Sequence, residues 1–207
     1  PSLMEACADE NPAVRANAAA VLGYFGDDRP LFVLADLLAR DPSERVRAAA
    51  ANALGQIDHV AAISRLAQSI ATDHSSDVRA ACAFALGEVQ HAECIEPLAI
   101  GLNDVSPQVR HHAISSLEYI GSERCAEVIE NRLTIEDEPA VRQSLLKALG
   151  LLGYRRSMPI LREIAEKRTP EEAALAADAM HRIDTVGPVK REPYAGREGK
   201  KLSSADL

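Results

Sequence analysis

The chain has 207 residues, 47% of them hydrophobic but only 3% aromatic, with no tryptophan and a formal net charge of −8. Apolar content carried by Ala, Leu, Val and Ile suits closely packed helices of high helix propensity. No apolar run approaches the ~20 residues of a bilayer span, no secretory signal pattern is visible, and an acidic body without tryptophan speaks against nucleic acid as a partner.

Pro1 to Ala8 reads as the last turns of a helix whose beginning is missing, with Leu3, Met4 and Cys7 at helical spacing. Asp9 and Asn11-Pro12 break it, because proline disfavours helix in the residue before it and suits the first turn of the next. Ala13 to Phe25 forms the next helix, Gly26-Asp27-Asp28 turns the chain, and Pro30 to Arg40 returns as its antiparallel partner. From Asp41-Pro42 the pattern repeats, most plainly from Asp73 to Gly87: an acidic residue, then Val-Arg, then an alanine-rich run closing on Leu-Gly. The Val-Arg pairs fall at Val14-Arg15, Val46-Arg47, Val78-Arg79, Val109-Arg110 and Val141-Arg142, at spacings of 32, 32, 31 and 32 residues. A fixed period in this range marks stacked supersecondary units, none of which buries its apolar face alone.

A sixth unit, from Pro159 to Ile183, is degenerate: His181 and Arg182 stand near the place of Leu-Gly, as suits a polar C-terminal cap. The solenoid is thus expected over residues 1–184. Residues 185–207 turn to Gly, Pro, Lys, Arg and Ser and read as an extended tail. Its five basic residues (Lys190, Arg191, Arg197, Lys200, Lys201) outnumber three acidic ones, opposite in sign to the body. With Tyr194 as an aromatic anchor, this tail is expected to dock on the body or on another chain.

Columns counted from each arginine name the core. The seventh residue is Leu22, Leu54, Leu86, Leu117 and Leu149, and the tenth is Phe25, Ile57, Val89, Ile120 and Leu152. The third (Ala18, Ala50, Cys82, Ala113, Leu145) is a small column where neighbouring repeats should approach closely, and the eighth is glycine except for Glu118. Leu34, Leu66, Leu98, Ile129 and Leu161 form the buried column of the other helix. Six residues before each arginine stands an acid: Asp9, Asp41, Asp73, Asp104 and Glu136. Such an acid can cap the N-terminal amides of its helix. A fixed arginine can bridge that acid to the neighbouring loop.

This pattern resembles HEAT-like repeats, in particular the short variety named after phycobilisome lyases, over about Leu3 to Ile183. The resemblance implies an all-α, right-handed α-solenoid of five to six antiparallel helix pairs, about eleven or twelve helices. It also implies that the acids pair with Arg15, Arg47, Arg79, Arg110 and Arg142 as a structural ladder, and that the Val-Arg helix lines the concave side. On that helix the first, fifth and ninth positions after the arginine share a face and change character between repeats. They supply the candidate partner-binding residues Tyr24, Asn52, Gln56, Phe84, Glu88, His111, Ser115, Tyr119 and Lys147. Tyr24, Phe84 and Tyr119 are the expected anchors; the alternative is that Phe84 tilts into the core and the tyrosines cap helix ends.

No chemistry-bearing motif accompanies the repeats. Cys94 and Cys125 lie one repeat apart, about 8–10 Å by helix packing, beyond the ~7 Å that a disulfide bridges. The expectation is free thiols, a reducing, cytoplasmic setting and no bound metal. Deoxyhypusine hydroxylase, built from similar repeats, binds iron through His-Glu pairs, and no histidine here is followed by glutamate. No phosphate-binding loop or nucleophile elbow is present. The expected function is a non-catalytic, cofactor-free interaction scaffold or adaptor subunit that binds another protein within a multi-subunit complex. The alternative is a phycobilin lyase or chaperone-like protein that holds a tetrapyrrole or phycobiliprotein.

Overall fold

In the computed structural model, residues 2–25 and 28–188 are described. They form twelve α-helices and no strand: α1 (Leu3–Ala6), α2 (Pro12–Tyr24), α3 (Leu31–Arg40), α4 (Glu44–Ile57), α5 (Ile63–Thr72), α6 (Ser76–Val89), α7 (Ile95–Gly101), α8 (Pro107–Ile120), α9 (Glu123–Leu133), α10 (Pro139–Leu152), α11 (Met158–Lys167) and α12 (Pro170–Thr185). Local chemistry sets their ends. Proline stands in the first turn of α2, α8, α10 and α12, where its missing amide costs nothing. The helices α4, α6, α8 and α10 stop at residues of left-handed backbone, Asp58, Gln90, Gly121 and Gly153. His59 and His91 each accept a backbone amide through Nδ1 and start a short 3-10 turn.

The helices stack as an α-solenoid in two layers. The even-numbered helices pack side by side along much of their length, whereas the odd-numbered ones touch each other sparsely. The closely spaced layer is therefore the inner one. Each odd helix packs chiefly on the even helix that follows it, so α3 pairs with α4 across the Asp41-Pro42 loop rather than with α2. This corrects the pairing read from the Gly26–Asp28 turn. The packed pairs are six, with α1 reduced to one turn and α11–α12 closing the stack.

The leucine columns are buried as expected: Leu54, Leu86, Leu117 and Leu149 within the inner layer, and Leu34, Leu66, Leu98, Ile129 and Leu161 in the outer one. Phe25 is a correction. It is 69% exposed, because it lies beyond the last turn of α2 while Ile57, Val89 and Leu152 sit inside or at the end of their helices. Neighbouring inner helices approach closely at the glycine column. A Cβ on Gly55 would stand 2.7 Å from Ala85 Cα, so backbone meets backbone there. Where Glu118 replaces glycine, α8 and α10 pack less closely than the other inner neighbours. All four cysteines are free and buried; burial pushes the Cys94 thiol up to about 11. The tail residues Lys190, Arg191, Tyr194, Arg197, Lys200 and Lys201 lie outside the described residues.

Candidate partner-binding face

A ladder of ion pairs fixes the inner helices beneath this face. Arg47 donates from Nε and Nη2 to both carboxylate oxygens of Asp73, at 2.7 and 2.9 Å, and from Nη1 to the carbonyl of Asp41 at 3.0 Å. Arg15 meets Asp41, Arg79 meets Asp104 and Arg110 meets Glu136 in the same sense, each arginine reaching the acid of the next repeat. The acids do not cap the first-turn amides, as the sequence suggested. Each accepts instead the amide two residues on, at Ser43, Ser75, Ser106 and Glu138, and so shapes the loop before the helix. Glutamate at 136 is the odd rung: Arg132 joins Arg110 on it.

The last rung was not legible. Arg142 binds Glu172 in two hydrogen bonds of 2.6 and 3.0 Å, across 30 residues instead of the 25 or 26 of the other rungs. The acid has moved one helical turn, from the loop into the first turn of α12. Arg168 stands at the regular offset.

Burial alone would push the Asp41, Asp73 and Asp104 carboxyls up, but arginine hydrogen bonds and charges with one backbone amide outweigh it and hold them below the ordinary range. Glu136 is held down likewise, and Glu172 by the Arg142 bonds foremost. Folded carboxylates of depressed pKa bind protons less readily than unfolded ones, so their stabilisation is full above the unfolded value and is lost as pH falls through the folded one. The melting temperature is therefore expected to hold from about pH 7 to about pH 5 and to fall steeply below about pH 4. A melting temperature level down to about pH 3 would show that the ladder carboxylates are not engaged.

Above this ladder, the fifth and ninth columns point outward. Tyr24 is 85% exposed, Phe84 45% and Tyr119 46%, and Asn52, Gln56, Glu88, Ser115 and Lys147 are exposed too. The first-position column turns inward instead: Ala16 and Ala80 are buried, and His111 is half-buried with Nδ1 3.1 Å from Ser144 Oγ of the next inner helix. His111 thus belongs more to the α8–α10 junction than to the open face. Between α6 and α8 the face dips into a groove of about 350 Å³ lined by Phe84, Glu88, His112, Ser115, Glu118 and Tyr119. Phe84 meets the His112 ring edge-on at 6.4 Å, so it leans on a neighbour at the surface rather than entering the core. His112 was missed because it falls between the counted columns. Burial, then the neighbouring His111, holds its imidazole below the ordinary value. Among the described residues, no three His, Cys, Asp or Glu side chains gather into a metal-ligating group, and no helix is long and apolar enough to cross a membrane.

The ladder and its period agree with the family comparison. The profile of HEAT repeats matches residues 1–87 and 95–181, and that of the PBS lyase HEAT-like repeat matches residues 78–104. The chain belongs to the HEAT-repeat family. No curated protein sequence matches it. Solved structures similar in fold include the complex of CpcE and CpcF of phycocyanin lyase from Nostoc sp. PCC7120, at 24% identity and a TM-score of 0.57, covering 72% of this chain and 96% of that one. A designed armadillo repeat protein in complex with a (KR)4 peptide is 15% identical with a TM-score of 0.60, covering 88% and 98%. Human deoxyhypusine hydroxylase is 18% identical with a TM-score of 0.54, covering 88% and 83%. In this HEAT-repeat chain the rungs and buried columns recur from repeat to repeat, while the outward positions differ between repeats.

Proposed function

We propose that this HEAT-repeat protein is a non-catalytic scaffold, an adaptor subunit that holds another protein within a cytoplasmic multi-subunit assembly. The observation that carries this reading is the contrast between a ladder that recurs along the stack and an outward face whose side chains change from repeat to repeat. Exposed aromatic residues among small neighbours are the usual anchors of an interface. The groove between α6 and α8 joins two aromatics to Glu88 and Glu118, which suits a partner segment presenting an apolar side chain beside a lysine or arginine. The similarity in fold to a designed repeat protein solved with a basic peptide supports the same class of ligand.

Replacing Tyr24, Phe84 and Tyr119 together by alanine is expected to abolish capture of the partner by the purified protein while the chain still melts cooperatively. All three are exposed, so their loss leaves the buried columns intact. Unchanged affinity in the triple variant would move the binding site elsewhere on the solenoid. A second reading, a protein that holds a bilin or a phycobiliprotein, is supported by the PBS lyase repeat match and the phycocyanin lyase fold. New visible absorbance on mixing with free bilin would favour it over the scaffold.

A further inference from the structure

The chain leaves its last helix by turning back along the body. After α12 the backbone turns at Gly187, whose φ is 70°, and its amide bonds the carbonyl of Arg182 at 3.3 Å. Gly187 and Pro188 then lie against Gly153 at the end of α10, where an added Cβ would stand 2.9 Å from Pro188 Cα. The C-terminal ends of the inner helices form a row, and this contact is one step back along it. The next step is bridged by Tyr154, which donates its hydroxyl to the carbonyl of Gly121, at the end of α8, at 2.9 Å. Glu118 and Tyr119 stand in the last turn of α8, and Glu88 in that of α6.

The groove between α6 and α8 lies on this row. Its walls carry Phe84, Tyr119, Glu88 and Glu118, and among the described residues no lysine or arginine lines it. Residues 189–201 bring the complementary chemistry, with Lys190, Arg191, Arg197, Lys200 and Lys201 against Glu192 and Glu198, and with the single aromatic Tyr194. The geometry also gives a register. Packed helices lie about 10 Å apart and an extended chain advances about 3.3 Å per residue, so about three residues beyond Pro188 reach α8 and about six reach α6. That count brings Arg191 to Glu118 and Tyr194 to Phe84. Pro193 favours an extended backbone in the residue before it, as this reach requires.

We infer that residues 189–201 of this same chain occupy the α6–α8 groove, with Tyr194 between Phe84 and Tyr119 and the Lys190–Arg191 pair on Glu118 and Glu88, and close it to other ligands. The inference rests on the reading of this groove as the partner site. The segment offers what that reading asks of a partner, an apolar ring beside basic side chains. Tethering at Pro188 gives it an effective concentration of about a millimolar, so a free ligand of equal intrinsic affinity binds only when its own concentration exceeds that. The same tether favours the chain's own segment over that of a second copy, which reaches the groove only at its bulk concentration.

The test places photoreactive benzoylphenylalanine at Tyr194 of the full chain and irradiates a dilute mixture of unlabelled and nitrogen-15-labelled protein. Mass spectrometry is expected to map the adduct to α6 or α8 around Phe84 and Tyr119, within one copy. Lys190→Glu with Arg191→Glu should lower its yield about tenfold, and adding Glu88→Lys with Glu118→Lys should restore it. Adducts between copies, adducts elsewhere on the solenoid or no adduct would overturn the assignment. A second measurement titrates a synthetic peptide of residues 189–201 into the full chain and into the chain ended after Pro188. The peptide should bind the shortened chain about tenfold more tightly, because the tethered copy no longer competes. Equal affinity for the two, or no binding to the shortened chain, would also overturn it. Neither readout involves the partner, so their failure removes the tail from the groove and leaves the scaffold reading to the Tyr24, Phe84 and Tyr119 variant.

Discussion

Asp73→Ala is expected to destabilise the protein by about 3 kcal/mol, the lower end of the range for removing one partner of a buried ion pair. Arg47 is 4% exposed, and both oxygens of Asp73 face it. Without them the guanidinium stays buried with only the carbonyls of Asp41 and Pro42 and the His74 ring as neighbours. The loop also loses the bond from the Ser75 amide, while the carbonyl of residue 73 still serves Arg79. These retained carbonyl bonds place the cost at the lower end. Urea denaturation of the single and double variants measures it, and Arg47→Ala with Asp73→Ala should cost less than the sum of the two by about 1–3 kcal/mol. A loss below about half a kcal/mol in Asp73→Ala would mean that the rung is a surface pair of little consequence.

Leu86→Ala is expected to cost about 2–5 kcal/mol, the transfer term for the lost methyl groups plus a cavity between close-packed helices. Leu86 is fully buried in α6, near the middle of the stack. Stability in a solenoid is shared with nearest neighbours, so a central defect weakens the repeats on both sides. The same change at Leu22, 8% exposed in α2, should cost less because its side chain is less completely enclosed than that of Leu86. Thermal or urea unfolding of both variants checks the ordering. A Leu22→Ala loss equal to or larger than that of Leu86→Ala would show that the N-terminal end is as tightly packed as the centre.

Much of the face was legible because its supports are periodic. Arg47, Asp73, Leu54 and Leu86 each recur in a column, and a helix of fixed pitch sends every member of a column in the same direction. The exposure of Tyr24, Phe84 and Tyr119 followed from the same count. Less legible were residues whose role depends on a neighbour outside the column. Glu172 replaces a rung one turn late, His112 reaches Phe84 across a helix boundary, and His111 is drawn inward by Ser144. No spacing announces such contacts, because they are made between helices and not along one.

By itself the amino-acid sequence determined the helix-pair repeat, the identity of the buried leucines and the acid–arginine rungs other than the last, since these follow from a period of about 32 residues read along the chain. Only the tertiary structure decided that α3 packs on α4 rather than on α2, that Phe25 stays in solvent, and that the glycine column is where backbones meet. The physical reason is common to these cases: helical periodicity specifies which face of a helix is apolar, while what covers that face depends on the stacking of segments distant in sequence.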